Sequence, residues 1–261
     1  MSRHLFDDER DDEFDEGSGQ AFEEPWLDEF YAEGLVTDIL MPLKSGKEAS
    51  VYLCRANPST GERFFAAKVF RARRSRAFKD DSMYKHGRVI TNARTRRAVQ
   101  GKTRFGREMD HAFWIGQEFE TLSLLFAAGA DVPRPVYSCP TAILMQYVGD
   151  EAAPAPQLKD VRLERDEAGA LFDRLMWNVE LMLSINLIHG DLSPYNVLYQ
   201  EGKATIIDLP QAVDPRTNAN ARHLLARDLD HLCRYFARFG VRTDAIKLAS
   251  NLWRRFVFAT L

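Results

Sequence analysis

Asp191 and Asn196 stand five residues apart in the run His189-Gly190-Asp191-Leu192-Ser193-Pro194-Tyr195-Asn196, and Asp208 follows twelve positions after Asn196 in Ile206-Ile207-Asp208. Phosphoryl transfer from ATP needs a carboxylate that orients or deprotonates the acceptor, and oxygen ligands that hold Mg2+ against the phosphates. Asp191 has the chemistry for the first task, and Asn196 with Asp208 for the second. Taken singly, each is an ordinary turn cap or strand end. The three together, with a hairpin between them, point to a phosphotransferase. A fourth residue fits the same chemistry. Lys68 lies inside the apolar run Ala66-Ala67-Lys68-Val69, where an unpaired ammonium is costly to bury. It calls for phosphates and a carboxylate, for which Glu118 and Glu120 are both candidates.

Two further stretches suit a nucleotide. Ser45-Gly46-Lys47-Glu48-Ala49-Ser50-Val51-Tyr52 has the character of a phosphate-covering hairpin turn, with Lys47 and the Ser45 and Ser50 hydroxyls available to phosphate oxygens. Its single glycine makes it neither a Walker loop nor a G-x-G-x-x-G. Met145-Gln146-Tyr147-Val148, leading into Gly149, fits a hinge whose backbone reads the adenine edge, while Val51, Ala66, Leu198 and Ile207 could sandwich the ring. Each of those four is equally ordinary as core.

These residues need elements to hold them. Residues 35–43, 49–56 and 64–70 have the apolar, β-branched texture of strands, with the turn-forming Asn57-Pro58-Ser59-Thr60-Gly61 before the third. Residues 111–128 carry a helical stripe (Phe113, Ile115, Phe119, Leu122, Phe126) that Glu118 interrupts; Gly129, Pro133 and Pro135 end it. Residues 142–148 predict a short strand, 150–160 a linker, and 164–187 a long helix. Two short strands, 197–199 and 204–207, form a hairpin that returns Asp208 to Asn196. Helical periodicity then resumes from Ala221 to the end of the chain. The expectation is an α+β protein of two lobes. An acidic tail (1–30) precedes an antiparallel-sheet lobe with one main helix (31–149), and a mostly helical lobe (150–261) follows.

The 261 residues carry a net charge of −3, but the charge is segregated. Residues 1–30 hold ten net negative charges, which leaves +7 on the remaining 231, and residues 71–107 alone hold thirteen bases against two acids. The acidic run reads as a solvated, disordered tail, or alternatively as an autoinhibitory segment that folds over the basic one. The basic run reads as a ribosome- or RNA-facing surface or as a solvated insertion; Phe78, Tyr84 and Phe105 are too few for a stacking platform. No apolar run approaches the roughly 20 residues of a membrane span, and no secretory leader is evident. Cys54, Cys139 and Cys233 are odd in number and widely spaced, which suits a reducing, cytoplasmic setting.

In its motifs and their order, over about residues 35–240, the chain resembles the RIO family of atypical serine/threonine kinases, a reduced form of the protein-kinase-like fold. The resemblance rests on Ser45–Tyr52, Ala67-Lys68-Val69, Glu118-Phe119 with Val132-Pro133-Arg134-Pro135, His189–Asn196 and Ile206-Ile207-Asp208-Leu209-Pro210-Gln211. Gly190 and Ser193 stand where ordinary protein kinases have Arg and Lys, and no Ala-Pro-Glu follows, so a full activation segment is not expected. The resemblance implies ATP and Mg2+ (with Mn2+ as a substitute), Asp191 as proton acceptor, Lys68 paired to Glu118, and Asn196 and Asp208 as metal ligands. The ATP contacts expected from these readings together are Ser45, Lys47, Ser50, Val51, Lys68, Glu118, Met145, Gln146, Val148 and Leu198. The resemblance also allows a transient phosphate on Asp208, with autophosphorylation or ATPase switching in small-ribosomal-subunit maturation. The acceptor would be a protein, or this chain itself. A small-molecule phosphotransferase of the aminoglycoside or choline kinase type, and an ATP-bound ribosome assembly factor with little turnover, are the alternative readings.

Overall fold

The computed structural model describes residues 25–71 and 104–261. Five antiparallel strands form the first lobe: β1 (Val36–Ser45), β2 (Ala49–Ala56), β3 (Phe64–Phe70), β4 (Pro135–Cys139) and β5 (Ala142–Gln146), in the order β1-β2-β3-β5-β4. β3 lies at the centre, with Val51, Lys68 and Ile143 opposite one another across β2, β3 and β5. Because side chains alternate along a strand, Ala66, Lys68 and Phe70 share one face, and Phe65 and Ala67 the other.

Each face is covered by a helix. On one, α1 (Pro25–Ala32) buries Trp26 and Phe30, four residues and about one helical turn apart, against the sheet. Trp26 stacks on Tyr52 with centroids 5.8 Å apart, and Phe30 meets Tyr137 edge-on at 6.0 Å. The tail expected over 1–30 therefore does not include residues 25–30. Residues 25–30 belong to the folded lobe, because two aromatics at helical spacing outweigh Asp28 and Glu29, which stay on the solvent side. Residues 1–24 lie outside the described residues. On the other face lies α2 (Arg104–Ala127), whose Trp114 and Ile115 pack with Phe70 and Ile143. This helix starts seven residues before the expected His111, so residues 104–107 of the basic segment are helical. The rest of that segment, 72–103, lies outside the described residues.

Strand β4 was not anticipated. Pro133 and Pro135 do stop the helix, and Pro135 then opens an edge strand, the position where a missing N–H costs a sheet least.

The second lobe contains α3 (Arg165–Ser184), the hairpin β6 (Val197–Gln200) and β7 (Lys203–Ile206), α4 (Ala221–Ala237) and α5 (Ala245–Val257). Glu201 and Gly202 both have positive φ, 49° and 79°, as a two-residue I′ turn requires. The final helical stretch is two helices. They are separated by a turn at Gly240 (φ 88°), and Asp244 caps the second by accepting from the N–H groups of Ile246 and Lys247. One continuous core joins α3, α4, α5 and the hairpin, and it also takes in Leu122, Leu125, Ala130 and Val132 from the end of α2 and the following loop. α2 thus belongs to the cores of both lobes. The linker 150–160 is pinned rather than loose, with Leu158 fully buried and Tyr199 N–H donating to Pro156 O at 2.9 Å. All three cysteines are unpaired and buried. Among the described residues, no helix is long and apolar enough to cross a membrane.

Candidate active site

Lys68 reaches off β3 toward α2, where Glu118 lies one turn beyond Trp114 and Ile115 and so faces the same sheet. Lys68 Nζ donates to Glu118 Oε1 at 2.6 Å and to Asp208 Oδ1 at 2.7 Å. The side chains of Lys68 and Glu118 are 12% and 6% exposed, that of Asp208 42%. Glu118, not Glu120, is the partner. Burial works against the charge on Lys68, but the two carboxylates more than reverse this and raise its pKa. Burial also pushes the Asp208 carboxyl up; Lys68, bonded to it at 2.7 Å, more than offsets this and brings it below its ordinary value. One lysine is therefore held charged between two lobes by a buried and an accessible carboxylate.

Asp208 has φ 69°, a left-handed conformation uncommon for a residue other than glycine. Its neighbour holds it there. Ile207 N–H donates to Asn196 O at 2.9 Å, and Ile207 O contacts His189 Nε2 at 3.1 Å. Asp191 N–H points at His189 Nδ1 at 3.2 Å, which must then be the acceptor, so the proton sits on Nε2 and is donated to Ile207. Burial lowers the pKa of His189 and keeps this neutral tautomer. Asn196, also buried, donates through Nδ2 to Asp191 O at 2.9 Å and Oδ2 at 3.2 Å. That leaves its amide oxygen, with the second oxygen of Asp208, as hard donors. Among the described residues, no group of three or more His, Cys, Asp or Glu is gathered for a metal ion. Two oxygen donors fit Mg2+, which keeps waters and phosphates as its remaining ligands.

Three residues of α4 that sequence reasoning missed hold this loop. Asp228 accepts from Gly190 N–H at 2.8 Å and Leu192 N–H at 3.0 Å, flanking Asp191. The Arg227 guanidinium donates to Gly190 O, and His231 Nδ1 lies 3.3 Å from Leu192 O. Gly190 has φ 79°, which only glycine adopts cheaply. The signal for Asp228 was available: it interrupts the stripe Leu224, Leu225, Leu229, Leu232 as Glu118 interrupts that of α2. Burial pushes the Asp228 carboxyl up to about 7 from an ordinary 3.8, even with two N–H donors and Arg227 opposing this. A carboxyl whose folded pKa exceeds its unfolded one adds stability that is full below the unfolded pKa and lost as pH rises through the folded one. Relative to Asp228→Asn, the wild-type protein should therefore lose melting temperature as pH rises from about 4 to about 7; parallel curves for the two proteins would refute the burial argument.

The nucleotide-facing surface is only partly as expected. Val51, Ala66 and Met145 share the face of Lys68, since Ala66 pairs with Met145 and Val51 with Lys68. Leu198 on β6 and Ile207 line the other lobe, both half-buried. The side chain of Gln146 alternates away and accepts from Arg134 N–H at 3.2 Å, so its part would be a backbone one. Val148 O accepts from Ala155 N–H at 3.0 Å. Among the described residues, the Val148 N–H meets no acceptor. Lys47 is exposed at the tip of the turn.

Ser45 and Ser50 depart from expectation. They pair with each other, and Ser50 pairs with Val69, so both lie on the face opposite Lys68. Arg71 donates to their hydroxyls at 2.7 and 3.3 Å. Strand alternation, not the turn sequence, decides this. Gly149 (φ 154°) closes the hinge. A Cβ there would meet the Tyr147 hydroxyl at 2.5 Å and the Ala153 carbonyl at 2.7 Å, and the latter is backbone and cannot swing aside. Gly149→Ala should cost about 1–3 kcal/mol in thermal or denaturant unfolding; an unchanged midpoint would show that this segment is loosely held.

Comparison with known proteins fits this geometry. The family model of the RIO domain matches residues 50–248. A RIO-type serine/threonine-protein kinase Rio1 from Thermoplasma acidophilum is 30% identical over 192 residues, 72% of this chain and 100% of that one. Serine/threonine-protein kinase RIO1 from Chaetomium thermophilum is 32% identical over 229 residues, 80% of this chain but 41% of its own length. Among solved structures, the Rio2 kinase from Chaetomium thermophilum, crystallised as an ADP/Mg2+-phosphoaspartate complex, superposes with a TM-score of 0.62 at 19% identity. The match covers 86% of this chain and 64% of that one. That likeness establishes the bilobal kinase-like fold. The small-molecule phosphotransferase reading is not favoured, and only residues 209–220 separate Asp208 from α4, too few for a full activation segment. With the family model covering most of the chain and the Lys68–Glu118–Asp208 contact in place, the chain belongs to the RIO family of atypical serine/threonine-protein kinases.

Proposed function

We propose that the protein is an ATP- and Mg2+-dependent RIO-type serine/threonine kinase. The observation that carries this reading is Lys68, held at 2.6 and 2.7 Å between Glu118 and Asp208, with Asn196 bonded both to Asp191 and to Ile207, the residue before Asp208. Val51, Ala66, Met145 and Leu198 enclose the adenine, and Lys68 neutralises phosphate charge. Asn196 and Asp208 hold Mg2+, which supplies charge stabilisation on the phosphates when bound; Mn2+ would suit the same donors. Asp191 receives the proton of the acceptor hydroxyl as its oxygen bonds to the γ-phosphorus and the bond to the β-phosphate oxygen breaks. A serine of a protein, or of this chain, is the acceptor.

A second outcome has an observation in its favour. Asp208 is partly exposed, and only one of its oxygens is engaged by Lys68, so it could itself accept the phosphoryl group; the related Rio2 kinase complex from Chaetomium thermophilum contains a phosphoaspartate. Labelled ATP with Mg2+ should place label on the protein. Acid-stable label marks a hydroxyl acceptor and hydroxylamine-labile label an acyl phosphate on Asp208. No transfer and no hydrolysis would remove the reading altogether. Contact with rRNA through the thirteen bases of residues 71–107 and a cytoplasmic location belong to the same proposal. Steeply salt-dependent RNA binding that weakens when Arg94, Arg96 and Arg97 are neutralised would support the former.

A further inference from the structure

The sheet places a second cation opposite Lys68. Lys44 pairs with Val51, and Val51 pairs with Lys68, so the three occupy one line across β1, β2 and β3 and one face of the sheet. The next residue fixes that orientation. Ser45 is tied to Ser50 and Arg71 on the opposite face, and Arg71 N–H also donates to Glu48 O at 2.9 Å, while Gly46 N–H closes the turn on Ala49 O at 2.9 Å. With Ser45 anchored outward, alternation turns Lys44 inward, toward the cleft. Strands are spaced about 4.8 Å apart, so the Lys44 and Lys68 backbones stand about 10 Å from each other, with both side chains directed into the space between the lobes. The Lys44 charge is felt by Asp208, although Lys44 is exposed and, among the described residues, makes no salt bridge. A cation facing the metal-site carboxylate without engaging it is placed for an anion bound between them.

We infer that Lys44 is a second polyphosphate-binding residue, gripping the nucleotide's phosphates from the β1 side opposite Lys68. This rests on the proposed ATP-dependent function and adds to it a residue that the turn sequence Ser45–Ser50 hid. Arg71 is a positioning residue in this arrangement. Its bonds to Ser45 and Ser50 hold the end of β1 in the register that turns Lys44 inward.

The test is equilibrium binding of Mg-ATP, Mg-ADP and AMP to the full chain, by calorimetry, for wild type, Lys44→Met and Lys44→Arg, with Lys203→Met as a surface control. Removing one charged hydrogen bond to phosphate should weaken Mg-ATP about tenfold. The loss should be smaller for Mg-ADP and absent for AMP, because it scales with the charge gripped. It should shrink at high salt, where an exposed cation is screened, and Lys44→Arg should restore most of it. Unchanged Mg-ATP affinity in Lys44→Met overturns the inference. So do equal losses for all three nucleotides, which would mean that the turn, not a charge, had been damaged. Failure of the wild-type chain to bind any of the three would instead bring down the proposed function itself.

Discussion

Asp191→Asn should lower phosphoryl transfer by about 10²–10⁴-fold, the usual contribution of a positioned proton acceptor, while leaving Mg-ATP affinity nearly unchanged. The substitution keeps shape and removes basicity. The loop should persist, because the strongest ties on it are backbone ones. Asn196 Nδ2 still finds Asp191 O at 2.9 Å, and Asp228 still holds the N–H groups of Gly190 and Leu192. Single-turnover transfer at saturating ATP isolates the chemical step. A rate within a few-fold of wild type would show that Asp191 is not the acceptor of the proton.

Lys68→Met should do two separable kinds of damage. Removing a preorganised cation from developing phosphate charge costs about 10²–10³ in kcat. It also strands the Glu118 carboxylate, which is 6% exposed. Breaking a buried pair from one side costs about 3–5 kcal/mol, and the lower figure applies here because Glu118 can take up a proton once Lys68 is gone. The stability deficit should therefore narrow as pH falls. The double variant Lys68→Met with Glu118→Gln should recover much of the stability and none of the activity, a coupling that a double-mutant cycle reads directly. If the double variant unfolds as readily as the single one, the contact is not the source of the loss.

Much of this site could be read from residue types. Lys68 in an apolar strand could be buried only with partners, and Glu118 and Asp208 are those partners. Strand 49–56 ends where Asn57-Pro58 says it must, and strand 64–70 begins just past Gly61. What escaped was set by three-dimensional placement. The acid count of residues 1–30 hid the Trp26–Phe30 spacing, since net charge says nothing about which face a helix presents. Ser45 and Ser50 carried suitable hydroxyls, yet a residue adjacent to Val51 on a strand points away from the face that Val51 occupies. Once Val51 was assigned to the nucleotide, Ser50 could not be. Asp228 shows the reverse, a legible signal passed over: an acid on an apolar helical stripe is costly unless backbone donors await it, and here two do. The family resemblance, by contrast, rested on motif order, and the RIO-domain match over residues 50–248 bears it out.

The burial of all three thiols has a practical consequence. Burial pushes Cys54 up to about 12 and raises Cys233 as well, and a thiol that is neither exposed nor ionised reacts slowly with maleimides. The wild-type chain should thus be nearly silent to thiol-directed dyes without removing any native cysteine. One cysteine placed at the exposed Lys47, on the tip of the β1–β2 turn, and another at the exposed Lys203 on the far hairpin would carry a donor–acceptor pair across the cleft. Resonance energy transfer between them would report the distance between the lobes as nucleotide enters and leaves.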